Sequence, residues 1–115
     1  MSVRITVAAL TVLIVSALAV SAAPAATTPT VVRITVVDGR PVGGIKRTTV
    51  KRGTVVRYVV RTARGEDIHL HGYNLTRRIR PGTPTVLHFT AKLAGRFELE
   101  LHHPDALLAQ LTVRP

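Results

Sequence analysis

Five histidines carry whatever metal chemistry this chain offers: His69, His71, His88, His102 and His103. His69 and His71 stand two apart in Ile68-His69-Leu70-His71. On a strand, side chains at i and i+2 point to the same face about 6.6 Å apart, so this pair can hold one divalent ion between two imidazoles. His102 and His103 close an alternating run, and at least one can reach the same rim if the fold brings these strand ends together. Two to four neutral imidazoles suit Cu(II) best, with Zn(II) and Ni(II) behind it. The competing reading is that His69 and His71 hydrogen-bond their loop while His102 and His103 are solvated. His88 alternates with Leu87 and Phe89, so it is expected to face outward with no role.

Other chemistry is poorly served. The chain has no cysteine, which removes a disulfide framework, a thiol nucleophile and a thiolate-ligated copper centre. Serine occurs only at Ser2, Ser16 and Ser21, ahead of the folded part. Asp67, Glu98, Glu100 and Asp105 are scattered, and Glu98 and Glu100 share an outward strand face where arginines are expected to meet them. No carboxylate pair is set for acid–base work, so the chain is not expected to be an enzyme. Four aromatic residues, Tyr58, Tyr73, Phe89 and Phe97, are too few for a base-stacking platform, and no specific nucleic-acid partner is expected.

Charge is the other functional signal, with 16 Lys+Arg against 6 Asp+Glu in 115 residues. Lys46-Arg47, Lys51-Arg52, Arg57, Arg61 and Arg64 form one group, and Arg77, Arg78 and Arg80 a second. Such groups suit an anionic envelope polymer or a lipid surface, or they serve only as a solubilising face.

The elements that must position these residues all show period two. Val32, Ile34 and Val36 alternate with Arg33 and Thr35, and Val56, Tyr58 and Val60 alternate with Arg57, Val59 and Arg61. Leu87 and Phe89 share one face, and Phe97, Leu99 and Leu101 alternate with Glu98 and Glu100. Turn chemistry separates them at Asp38-Gly39, Gly43-Gly44, Gly72 and Arg80-Pro81-Gly82-Thr83-Pro84. Short strands at this spacing predict an all-β sandwich or barrel. Pro104 to Gln110 is the one helical candidate.

Ahead of the strands lies an address. Arg4 is followed by a 16-residue apolar run from Ile5 to Val20 and then by Ser21-Ala22-Ala23-Pro24-Ala25. A basic start, an apolar run and a small-residue end predict an export signal cleaved after Ala23 or Ala25, with Ala25 preferred because Pro24 directly after the cut is disfavoured. The alternative, an uncleaved anchor, is disfavoured because a spanning helix needs about 20 residues. The expected organisation is a signal peptide over 1–25, a spacer over 26–30 and one domain over 31–115, placed outside the cytoplasm as a secreted, periplasmic or envelope-associated protein.

The order Asp-Ile-His-Leu-His-Gly-Tyr from Asp67, then Arg-Pro-Gly, then Phe-Thr-Ala-x-x-x-Gly-Arg-Phe and a His-His pair resembles the cupredoxins. The nearest likeness is to the small EfeO-type cupredoxin-like domains and to the copper domain of nitrous-oxide reductase and oxidase subunit II. It covers roughly residues 50–113 and implies a Greek-key β-sandwich of about seven strands. The resemblance places His71, or His69 in another register, at the N-terminal imidazole ligand, and His102 or His103 at the C-terminal one. It places Leu101 at the cysteine ligand and Leu107 or Leu108 at the methionine ligand. With the export signal, and an Arg-over-Lys bias that points to a GC-rich bacterium, the implied function is a bacterial exported cupredoxin-like protein with a cysteine-free site, able to bind copper, though not as blue copper, through His69, His71, His102 and His103. The alternative function is a binding module that keeps the fold and uses the basic surface without metal.

Overall fold

The computed structural model describes residues 27–103 and 105–115, together with Ser2, Arg4, Val12 and the stretch 14–24. The expected cleavage point after Ala25 lies outside the described residues.

Among the described residues, nine strands form two sheets. They are β1 (Thr30–Val37), β2 (Arg40–Pro41), β3 (Lys46–Lys51), β4 (Val55–Thr62), β5 (Asp67–Leu70), β6 (Leu75–Arg78), β7 (Thr85–Thr90), β8 (Gly95–His102) and β9 (Ala106–Arg114). One sheet has the order β2-β1-β4-β7 and the other β3-β9-β8-β5-β6. The count exceeds the expected seven partly because the β1–β2 hairpin adds a strand of two residues. Its turn is Asp38-Gly39, both at positive φ, the geometry that matches the right-handed twist of a two-residue hairpin.

Each strand is placed by its alternation. In β4, Val56, Tyr58 and Val60 are fully buried while Arg57 and Arg61 are exposed. β7 turns Leu87 and Phe89 inward, and β8 turns Leu99 and Leu101 inward. A period of two in both sheets gives each an apolar inner face, and the faces stack into one core. Two neighbouring pairs, β1 with β4 and β3 with β9, are parallel. Parallel neighbours cannot be joined by a tight turn, so the chain crosses between the sheets, from β2 to β3 and back to β4.

The helical candidate is a strand. Pro104 is outside the described residues, but β9 begins at Ala106 and pairs with β8 on one side and β3 on the other. Ala-Leu-Leu-Ala-Gln has good helix propensity, yet propensity is a weak prior against the β8 ladder, joined from Ala109 onward by the β3 ladder. A register shift between Leu99 and Glu100 leaves Leu108 as the extra residue of a bulge, and Leu108 and Ala109 are both buried.

Candidate functional site

The outer face of the five-stranded sheet gathers His69, His71 and His102. Ile68 and Leu70 are fully buried, so Asp67 and His69 project from the opposite side of β5, and His71 follows one residue beyond its end. Leu99 and Leu101 are buried in the same way, which turns Glu98, Glu100 and His102 outward from β8. Antiparallel pairing sets His69 opposite Glu100 and Asp67 opposite His102. The His71 amide donates to the Glu98 carbonyl at 2.9 Å, extending this ladder beyond Leu70.

Three imidazoles therefore meet on one surface. The His69 ring centroid lies 4.4 Å from that of His71 and 5.8 Å from that of His102. His71 Nε2 stands 2.8 Å from Glu100 Oε2, with the imidazole about half exposed. His102 Nδ1 stands 3.2 Å from Asp105 Oδ1, and this hydrogen bond holds the Asp105 carboxyl below its usual range. Asp67 is paired with Arg78 at 3.4 Å. His103 is exposed in the following turn at a φ of 63°, its ring 6.5 Å from that of His102. His88 is exposed on the other sheet, as alternation requires.

The carboxylates are what the sequence reading missed. Glu98 and Glu100 do face outward, but Glu100 meets His71 rather than an arginine. Asp67, Glu98, Glu100 and Asp105, four of the six carboxylates, lie on or beside the imidazole face. The available signal was the shared parity of Glu98, Glu100 and His102 on one strand, once β5 is taken as its antiparallel neighbour.

This surface is a set of imidazole and carboxylate donors, hard and borderline ligands for a divalent ion. Among the described residues, no three His, Asp or Glu side chains converge closely enough to hold a metal ion as they stand. Rotation of the exposed rings about their side-chain bonds would be needed, together with displacement of the Glu100–His71 hydrogen bond.

The thiolate-type copper centre does not fit this chain. Leu101 is fully buried opposite Ile68, and Leu108 is fully buried in the bulge of β9. Leu107 is half-buried and pairs with Glu100. The positions matched to the cysteine and one of those matched to the methionine are thus filled by core leucines. The imidazoles project from the other side of the sheet.

The fold defines the class. Its two sheets superpose on solved cupredoxin-like structures, among them a copper binding protein in the apo form, with a TM-score of 0.57, 17% identity and coverage of 73% of this chain and 86% of that one. A methionine-to-leucine variant of oxidised amicyanin gives a TM-score of 0.54 at 13% identity, covering 78% of this chain and 95% of that one. Copper nitrite reductase from Nitrosomonas europaea gives 0.60 at 16% identity, over 76% of this chain but only 42% of the reductase. At these identities the likeness establishes the fold: this chain is a cupredoxin-like β-sandwich. No family model matches the sequence, and no curated protein matches it.

Proposed function

We propose that this chain is an exported, non-enzymatic, cupredoxin-like protein that binds Cu(II) through His69, His71 and His102 on the outer face of its five-stranded sheet, with Glu100 beside them. The observation that carries the reading is the placement of the His69 ring 4.4 Å from His71 and 5.8 Å from His102. The motif likeness to EfeO-type domains and to the copper domain of nitrous-oxide reductase and oxidase subunit II supports the same kinship at a finer level. His103, its ring 6.5 Å from that of His102, serves as an outer donor. Such a site would hold and release copper rather than pass electrons rapidly, because it lacks the thiolate on which blue-copper electron transfer depends.

The test is calorimetric titration of the protein with Cu(II), paired with electron paramagnetic resonance. His69→Ala or His71→Ala should each weaken binding at least about tenfold, on the order of what a lost site contact costs. The His102→Ala/His103→Ala double variant should behave similarly, and His88→Ala should match the parent. Equal small losses at all five histidines would mean adventitious surface binding and end this reading.

A further inference from the structure

The outer face of the four-stranded sheet has a different character. β1 presents Val31, Arg33, Thr35 and Val37, and β4 presents Arg57, Val59 and Arg61. β7 adds Val86 and His88. Arg40 pairs with Val37 across the hairpin, and Val42 bonds through its amide to the Thr35 carbonyl at 2.8 Å, so both continue the same surface. The strands place no carboxylate on this face, Asp38 being at its rim in the β1–β2 turn. Among the described residues the ion pairs lie on the other sheet or in its turn, so none neutralises Arg33, Arg40, Arg57 or Arg61.

Exposed apolar side chains gather on the same face. Val31, Val37, Val42 and Val86 are 45%, 55%, 53% and 37% exposed. Within the sandwich, Leu93 is the other large exposed hydrophobic residue among those described. A shallow hollow of about 110 Å³ opens between Arg33 and Arg61 over Thr35 and Val59. It adjoins a hollow of about 280 Å³ lined by Val36, Val37, Ala63 and Gly82, the two sharing Thr35 and Arg61.

We infer that this valine–arginine face docks on the surface of an anionic lipid bilayer. Guanidinium groups bind phosphate through paired N–H donors, and the hollow between Arg33 and Arg61 is sized for one headgroup phosphate. The interleaved valines gain nothing from a phosphate polymer in water, but they lose water on entering the headgroup–acyl boundary. A sheet four strands wide is a broad platform suited to a broad surface. This inference uses neither His69, His71 and His102 nor copper, so it stands or falls apart from the proposed function.

The experiment is co-sedimentation of the full chain with vesicles of phosphatidylglycerol and phosphatidylcholine (1:1) and of phosphatidylcholine alone, with a chelator present. The readout is the ratio of the two partition coefficients, because the apolar run over 5–20 contributes alike to both vesicle types. Arg33→Gln/Arg61→Gln should lower that ratio about 25-fold, at about fivefold per basic residue near an anionic surface. Arg47→Gln/Lys51→Gln, on the far sheet, should change it less than about twofold. Val31→Ser/Val86→Ser should lower partition into the anionic vesicles, and that loss should persist as salt is raised, because screening weakens only the charge contribution. Equal losses for the two basic double variants would reduce the effect to net charge and overturn the inference. So would a ratio near one for the parent, or tight binding to inorganic polyphosphate without binding to anionic vesicles.

Discussion

Ile68 stands directly opposite Leu101 across the β5–β8 pair, and both side chains are fully buried. One residue further along each strand, His69 and His102 project from the other side of the same sheet. The backbone of the sheet therefore separates the position matched to a cysteine ligand from the imidazoles. Leu101→Cys should give no intense charge-transfer band on addition of Cu(II), because the new thiol points into the core. The variant should lose about 2 kcal/mol of stability as methyl groups leave a packed site. Visible spectroscopy and denaturant titration check both, and an intense blue colour would contradict this separation of Leu101 from the imidazoles.

Copper affinity should depend on pH. Metal and proton compete for the same imidazole nitrogen, so Cu(II) binding should weaken steeply as the solution becomes acidic. The parent should show only weak, imidazole-type visible bands throughout. Calorimetric titrations across the acidic to neutral range provide the measurement, and pH-independent affinity would exclude imidazole ligation.

Tyr58 predicts an alkaline transition. Its hydroxyl is buried without a hydrogen-bond partner, and burial pushes the phenol up to about 12. The folded state therefore retains this proton after the unfolded chain, with an ordinary value near 10, has released it. The resulting stabilisation is complete below about pH 10 and is lost as pH rises toward about 12, to the extent of about 2–3 kcal/mol. Tyr58→Phe keeps the ring contact with Phe89, 6.2 Å between centroids, and removes the orphaned hydroxyl. It should raise stability by about 1 kcal/mol at neutral pH and flatten the alkaline loss, as followed by thermal unfolding at several pH values.

Gly72 links the imidazole strand to the aromatic cluster. It has a φ of +84°, and a methyl group there would overlap the Phe97 ring. Phe97 in turn packs against Tyr73 at 4.7 Å between centroids, and the Tyr73 hydroxyl donates to the Leu93 carbonyl at 3.0 Å. Gly72→Ala should cost about 2–4 kcal/mol through left-handed strain and overpacking. Gly82→Ala also has positive φ but meets nothing within 4 Å. It should cost only about 1 kcal/mol, and the difference in midpoint between the two variants isolates the Phe97 contact.

Export makes a separate prediction. In a bacterial host the protein should accumulate outside the cytoplasm with a mass corresponding to a start at Ala26. Intact-mass spectrometry of the fractionated protein decides this, and retention of Arg4 in the exported form would refute cleavage.

Much of the sandwich was legible in the sequence, because alternation is a local property. Val56, Tyr58 and Val60 name their own inner face, and Asp38-Gly39 names its own turn. His69 and His71 had to share a side for the same reason, since two residues of a strand return a side chain to the same face. Their relation to β8 could not be read locally. Which strand lies beside β5, and in which register, is set by how both apolar faces close over one core. That closure places His102 near His69 and puts Glu100 against His71, where arginines had been expected. It also makes a strand of Ala106–Gln110 against its helical propensity, because β8 pairs along one edge and β3 joins the other from Ala109 onward. The gathering of Arg33, Arg57 and Arg61 with exposed valines has the same origin. Alternation turns each of them outward, but only the parallel pairing of β1 with β4 puts them on one surface.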